Sequence, residues 1–276
     1  MAGLSMGWAR IMAPVAGGEA DKAVLAFAAA LAEPFQAELA CVYAPADVAD
    51  LMPWMGEGFM GGVQVTAVQS LKDAAAEGEK AARAASGALG YASKTFTALS
   101  SPVWSALSME GRLSDVVVFD DATAKGKGPL AESFQQIVAD EQRPTIVARA
   151  GLSVGGTVAV AWDGGKEASR AARTALPLLQ KAGRVVILAA PASSARYFDP
   201  ARLQQFFSQR DIKSEVQIVT ESGDPGPCLL KATKGIEANL LIAGAFGHPR
   251  LQEYIFGGTT RAFLNATDGP SLFLSH

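Results

Sequence analysis

Apolar residues along this chain fall into short runs, and longer amphipathic segments lie between those runs. In residues 19–33, Val24, Phe27 and Leu31 repeat at the spacing of one helix face, which predicts an amphipathic helix. Short apolar runs such as residues 116–118 predict buried strands instead. Strands that alternate with helices of this length indicate an α/β fold with a mostly parallel sheet.

The same series of elements occurs twice along the chain. Strands are predicted over residues 11–15, 38–43, 94–98, 115–119 and 144–148, and again over 157–162, 184–188, 215–219, 240–242 and 271–274. Helices are predicted over residues 19–33, 68–89, 103–112, 129–141, 166–180, 200–210 and 226–235, and from about residue 259. Residues 45–64, rich in Gly, Met and Pro, are predicted to form a loop or lid.

A repeated series predicts two copies of one unit. We expect two tandem open five-stranded sheets, mostly parallel, with helices on both faces, in a Rossmann-like arrangement. The predicted domains are residues 1–150 and 151–276, joined by a linker at residues 151–156. The halves are expected to pack as an intramolecular pseudo-dimer, with strands 145–148 and 271–274 meeting at their edges. The sequence also leaves open whether two copies of the whole chain form a homodimer.

Composition narrows the classes of function. Hydrophobic residues make up 49% and charged residues 18% of 276 positions, as in globular proteins with a sizeable core. A net charge of −3 offers no general attraction to nucleic acid or to an anionic membrane, so neither is an expected partner. Two cysteines and two histidines stand far apart, and no metal site is expected. Without a signal-like N-terminus or a membrane-length apolar run, a cytoplasmic location is predicted.

A glycine-rich stretch near the C-terminus carries the candidate chemistry. Gly244 ends an apolar run, Gly247 follows it, and the pair Gly257-Gly258 precedes Thr259 at a predicted helix start. Glycines at a strand end and at a helix N-terminus let backbone N–H groups approach a phosphate closely, and the helix dipole favours the negative charge. The stretch therefore predicts a phosphate site.

Both halves resemble universal stress protein (UspA-type) domains in tandem. The resemblance is carried by residues 158–171, Val-Ala-Val-Ala-Trp-Asp-Gly-Gly-Lys-Glu-Ala-Ser-Arg-Ala, by residues 223–225, Gly-Asp-Pro, and by Gly244-x2-Gly247-x9-Gly257. The family's nucleotide-binding pattern is Gly-x2-Gly-x9-Gly followed by Ser or Thr. The first half resembles the family in the order of its elements more than in its motif.

The resemblance implies a site for ATP or another adenine nucleotide, with or without Mg²⁺, in the second half. Its predicted residues are Asp163, Gly244, Gly247, His248, Gly257, Gly258 and Thr259. Asp163 would lie near the adenine or ribose, although it could instead cap the following helix. His248, Arg250 and Lys166 are candidate cations. Gly258 departs from the family pattern, because a hydroxyl is expected in its place.

The first half has lost the same chemistry. Ala16 stands where Asp163 stands, Asp120 and Thr123 align with Gly244 and Gly247, and Ala131-Glu132-Ser133 falls opposite Gly257-Gly258-Thr259. Residues 125–128, Lys-Gly-Lys-Gly, lack the spacing of a Walker sequence and are predicted to be a flexible loop. We expect no nucleotide in this half.

Three functions remain open from the sequence. The leading one is a stress-response protein in which an adenine nucleotide is a regulatory or structural ligand. The second is a ligand-free interaction scaffold, motivated by Gly258 and by the degenerate first half. The third is an enzyme acting on ATP; against it, the chain has no pyrophosphatase loop and no convincing nucleophile with a base.

Overall fold

The computed structural model describes residues 7–45, 62–99, 103–149, 153–190, 199–220, 223–245 and 258–276. The described residues divide into two compact units. One unit contains residues 9–137, and the other contains residues 138–276 together with Gly7 and Trp8. Within the described residues, no helix combines the length and the apolar character needed to cross a membrane.

The first unit is a parallel sheet with helices. Its strands are β1 (Arg10–Val15), β2 (Glu38–Tyr43), β3 (Lys94–Ala98) and β4 (Val116–Asp120). Its helices are α1 (Ala20–Ala32), α2 (Gly62–Ala88), α3 (Val103–Arg112), α4 (Asp121–Ala124) and all but the last two residues of α5 (Ala131–Ala139). The strand order is β3-β2-β1-β4, and β1 pairs in parallel with both β2 and β4.

The second unit repeats this plan with more strands. Its strands are β5 (Thr145–Ala148), β6 (Thr157–Trp162), β7 (Arg184–Ala189), β8 (Glu215–Ile218), β9 (Leu240–Gly244) and β10 (Ser271–Ser275). Its helices are α6 (Lys166–Thr174), α7 (Leu176–Leu179), α8 (Pro200–Ser208), α9 (Pro225–Gly235) and α10 (Gly258–Asn265). The order is β5-β10-β9-β6-β7-β8, parallel throughout except between β5 and β10.

The predicted α/β class with mostly parallel strands is confirmed, and so is the predicted meeting of strands 145–148 and 271–274. Strand β5 pairs antiparallel with β10, with Val147 opposite Leu272 and Thr145 opposite Leu274. By its contacts, β5 therefore belongs to the second unit, although it is the last strand of the first series. The domain boundary at residue 150 was drawn from the repeat of elements rather than from contacts, and it stays a prediction.

Two predicted helices differ from the structure. The single helix predicted over residues 166–180 is two helices, α6 and α7, with Ala175 between them. Pro177 explains the break, because it has no N–H to donate to the carbonyl of Arg173 and its ring would clash with that carbonyl in a continuous helix. Helix α2 begins at Gly62, inside the stretch predicted to be a loop, while residues 46–61 lie outside the described residues.

The central strands are buried because they carry apolar side chains on both faces, as a sheet covered by helices requires. In β9, Leu240, Leu241 and Ile242 are at most 1% exposed. Trp8 packs on the second unit, where its ring stacks on that of Phe273 in β10 with 6.1 Å between centroids. The carboxyl ends of the buried strands β6 and β9 form the edge of the sheet at which the candidate site lies.

Candidate functional site

The candidate site lies where the strand order of the second unit reverses. From β6 the chain proceeds outward to β7 and β8 and then returns to β9, on the other side of β6. The register pairs Val158 with Leu240 and Val160 with Ile242, so β6 and β9 end at the same edge of the sheet. A crevice outside the carboxyl ends of two such strands is the usual ligand position in open α/β sheets.

Asp163 follows β6 directly and shapes the turn into α6. Its Oδ1 accepts a hydrogen bond of 2.8 Å from the Gly165 N–H, and Gly164 adopts a positive φ of 74°. Gly165 is the N-cap of α6, and no side chain caps this helix start. The alternative that Asp163 caps α6 is therefore wrong. Asp163 is exposed at the edge of the sheet where the strands have their carboxyl ends, so its carboxylate can accept further hydrogen bonds.

Gly244 is required by close packing of α6 against β9. A Cβ at this position would lie 2.6 Å from the Ala168 backbone nitrogen and 2.7 Å from the Glu167 Cβ. Real Cβ atoms do not approach backbone this closely, so only glycine allows α6 to lie against the strand. The glycine predicted to shape a phosphate loop thus has a packing role within the protein itself.

Helix α10 begins beside the end of β9. The Thr260 hydroxyl lies 3.4 Å from the Gly244 carbonyl oxygen, to which it donates. A Cβ on Gly226, in α9, would lie 2.6 Å from the Ala262 Cβ and 3.3 Å from the Thr259 Cα, so the first turns of the two helices are in close contact. These contacts fix the helix start at the same edge as Asp163.

Gly258 is the first residue of α10, and the described residues leave free space around it. Among the described residues, no heavy atom lies within 4 Å of a Cβ placed on Gly258, and the φ of Gly258 lies outside the left-handed region. Neither contacts with the described residues nor the backbone conformation therefore demands glycine here. The described residues would therefore leave room for the Ser or Thr that the family pattern has at this position.

The structure brings together Asp163, Gly244, Gly258 and Thr259 of the predicted residues. Gly247, His248, Gly257 and the candidate cation Arg250 lie outside the described residues. The candidate Lys166 is largely exposed, and its Nζ lies 3.3 Å from Glu167 Oε1.

Sequence reasoning missed two polar side chains at this edge. Glu167 is only 8% exposed, and its Oε1 is buried without a well-aligned hydrogen bond despite the nearby Lys166 ammonium. The Trp162 Nε1 is buried and has no hydrogen-bond partner within the described residues. Spacing could have revealed Glu167, because Ala171 lies four residues later on the buried face of α6.

The corresponding turn of the first unit is closed by its own carboxylate. The N–H groups of Ala16 and Gly17 donate to the two Asp21 oxygens at 3.0 and 2.8 Å. Burial raises the pKa of Asp21, which is 5% exposed, although the backbone donors oppose this shift. Gly17 also packs against α2, since a Cβ there would lie 2.5 Å from the Gly78 Cα. The donors beside β1 are therefore already occupied.

The stretch after β4 is likewise engaged within the protein. Asp120 caps α4 by accepting from the Thr123 N–H at 2.8 Å and from its hydroxyl at 2.5 Å. Lys125 ends this short helix and pairs with Asp121, with 2.5 Å between Nζ and Oδ2. The residues aligned with the phosphate glycines thus form a capped helical turn. The absence of nucleotide from this half stays a prediction.

A comparison with models of protein families identifies the family of the second half. Residues 156–274 match the model of the universal stress protein family. The second half belongs to the universal stress protein family. No curated protein sequence matches the chain.

Solved structures extend the likeness to the fold of the whole chain. A universal stress protein from Archaeoglobus fulgidus DSM 4304 is 15% identical with a TM-score of 0.64, covering 96% of this chain and 95% of its own. A functionally unknown protein from Pseudomonas aeruginosa PAO1 is 12% identical with a TM-score of 0.58, over 97% and 92% of the two chains. The chain thus has the fold of a universal stress protein with two domains in tandem.

Proposed function

We propose that this protein is a stress-response protein that binds an adenine nucleotide in its second half as a regulatory or structural ligand. One observation carries the proposal: the Asp163 turn, the end of β9 and the first turn of α10 meet where the strand order reverses. The Gly244-x2-Gly247-x9-Gly257 spacing of a universal stress protein site supports it.

The described residues fit such a ligand. The N–H groups in the first turn of α10 have no acceptor within the helix, and no described residue lies within 4 Å of a Cβ on Gly258 to keep a phosphate away from them. Asp163 offers carboxylate oxygens to a ribose hydroxyl or to the adenine amino group. Bound Mg²⁺ would neutralise part of the phosphate charge. Within the described residues, no cluster of three or more acidic, cysteine or histidine side chains could hold a metal ion by itself.

A ligand-free scaffold is the second candidate, and Gly244 favours it. The close contact of Gly244 with Ala168 explains this glycine without any ligand, and the buried Glu167 carboxylate adds negative charge nearby. Such a protein would act through its surface alone. A cytoplasmic location and the pseudo-dimer stay predictions, and ATP hydrolysis and a homodimer stay open alternatives.

Isothermal titration separates the two candidates. Protein shown by mass spectrometry to be free of bound small molecules is titrated with ATP, ADP and AMP, with GTP as the base-specificity control. Saturable heat with the adenine nucleotides supports the proposal, and Asp163→Asn should weaken it. No heat at millimolar nucleotide would leave the scaffold as the better function. Nucleotide turnover above background, abolished by Gly247→Asp, would favour the enzyme.

A further inference from the structure

Arg149 connects the last strand of the first series to the far end of α10. It directly follows β5, and its backbone N–H donates to the Ser271 Oγ of β10 at 3.2 Å. Its guanidinium donates from Nη2 to the carbonyls of Phe263 and Leu264, at 2.7 and 2.9 Å, and from Nη1 to Pro270 at 3.3 Å. One side chain therefore holds three backbone carbonyls.

Two of these carbonyls belong to the last turn of α10, which ends at Asn265. Carbonyls in the last turn of a helix have no intrahelical donor, and this end of the helix carries partial negative charge. A half-buried guanidinium supplies both the missing donors and the opposite charge. The adjoining turn also fits closely around it, because a Cβ on Gly269 would lie 3.1 Å from Arg149 Nη1.

We infer that Arg149 is a positioning residue that aims the first turn of α10 at the nucleotide phosphate, and this inference rests on the proposed function. The helix has eight residues and is about 12 Å long, so a displacement of one end is transmitted to the other. Arg149 fixes the carboxyl end, while Gly226 contacts the first turn. A residue from the first series of elements thereby contributes to the site of the second without touching the ligand.

Arg210 provides a matched control in the same unit. Its Nη1 donates to the Phe206 carbonyl near the end of α8 at 2.9 Å, and its guanidinium lies 3.7 Å from the centre of the Phe206 ring. Arg210→Met therefore removes a helix-capping arginine from a different helix. Arg149→Lys keeps the charge but loses the planar group that reaches three carbonyls.

The test titrates full-length wild type, R149M, R149K and R210M with ATP, and follows amide hydrogen exchange in α10. Loss of pre-organisation should raise the ATP Kd of R149M by about three- to tenfold. R149K should lie between wild type and R149M, and R210M should match wild type. Amide exchange in α10 should be faster in R149M than in R210M. The comparison is made under conditions in which the two variants have the same free energy of unfolding.

The outcomes separate the inference from the proposed function. An R149M Kd equal to that of R210M, with wild type binding ATP, would overturn the positioning role alone. Wild type that binds no ATP would overturn the nucleotide proposal, while faster α10 exchange in R149M would still support the role of Arg149 in holding this helix. If R149M does not fold, R149K decides, since an unchanged Kd and unchanged α10 exchange would contradict the inference.

Discussion

Gly258 offers the sharpest test of the proposed nucleotide site, because the described residues leave room for the hydroxyl that this position lacks. We predict that Gly258→Ser binds ATP more tightly than wild type. The new Cβ has no heavy atom of the described residues within 4 Å, so the substitution introduces no clash with them, and the first turn of α10 tolerates serine. A seryl hydroxyl here would add a donor where the phosphate is proposed to lie.

The size of the gain follows from the charge of the acceptor. A hydrogen bond to a charged group contributes about 1.5–3 kcal/mol, and each 1.4 kcal/mol changes Kd tenfold, so ATP should bind roughly ten- to a hundredfold more tightly. Gly258→Ala is the matched control. It adds the Cβ and restricts the backbone in the same way, but it provides no hydroxyl.

Calorimetric titration of wild type, G258A and G258S with ATP and with adenosine completes the design. The gain of serine over alanine should appear with ATP and vanish with adenosine, which has no phosphate. Equal ATP affinities of G258S and G258A would refute the reasoning, since the first turn of α10 would then not face the phosphate. A gain that persists with adenosine would refute it as well, because the hydroxyl would be contacting the nucleoside.

Three further predictions concern stability, each measured by urea unfolding. Gly244→Ala should lower the free energy of unfolding by about 1–3 kcal/mol, because its Cβ would overlap the Ala168 backbone; an unchanged midpoint would show that α6 shifts freely. Burial raises the pKa of Asp21, so the stability that it contributes is fully present below its unfolded pKa and is lost as pH rises through the folded one. The stability of wild type relative to Asp21→Asn should therefore fall as pH rises over that window, and a constant difference would contradict the shift. Trp8→Ala removes a 5% exposed indole stacked on Phe273 and should cost about 3–5 kcal/mol; a loss below 1 kcal/mol, far under that range, would mean that the stack adds little.

The elements of this fold were predictable because their signals are local. The apolar runs placed strands such as β6 and β9 within two residues of their observed ends, since buried strands need side chains that fill both faces. Pro177 was a local signal as well, and weighing its missing N–H would have divided the helix predicted over residues 166–180. The meeting of β5 with β10 followed from the repeat, which left two equivalent edge strands to pair.

The site was harder to predict because its contacts are distant in sequence. The repeat and the family resemblance placed Asp163 and Gly244 at one edge, but no local pattern shows that Ala168 approaches Gly244 closely enough to exclude a Cβ. Arg149 donates to carbonyls that lie more than a hundred residues later in the chain. The residues next to Arg149 in the sequence give no signal that predicts these hydrogen bonds. Such contacts depend on how the helices pack on the sheet, and that packing is visible only in the three-dimensional structure.

The two copies of the turn after the first strand differ in where the carboxylate stands. In the second half it stands in the turn, where Asp163 accepts one N–H from Gly165 and remains exposed. In the first half the turn has Ala16, and a carboxylate five residues later, Asp21, accepts two N–H groups of that turn from a buried position. An oxygen already bonded to backbone and withdrawn from water cannot serve a ligand without losing those bonds. The first turn is thus stabilised by the chain alone, whereas the second keeps a carboxylate available, which is why the nucleotide site is proposed for the second half.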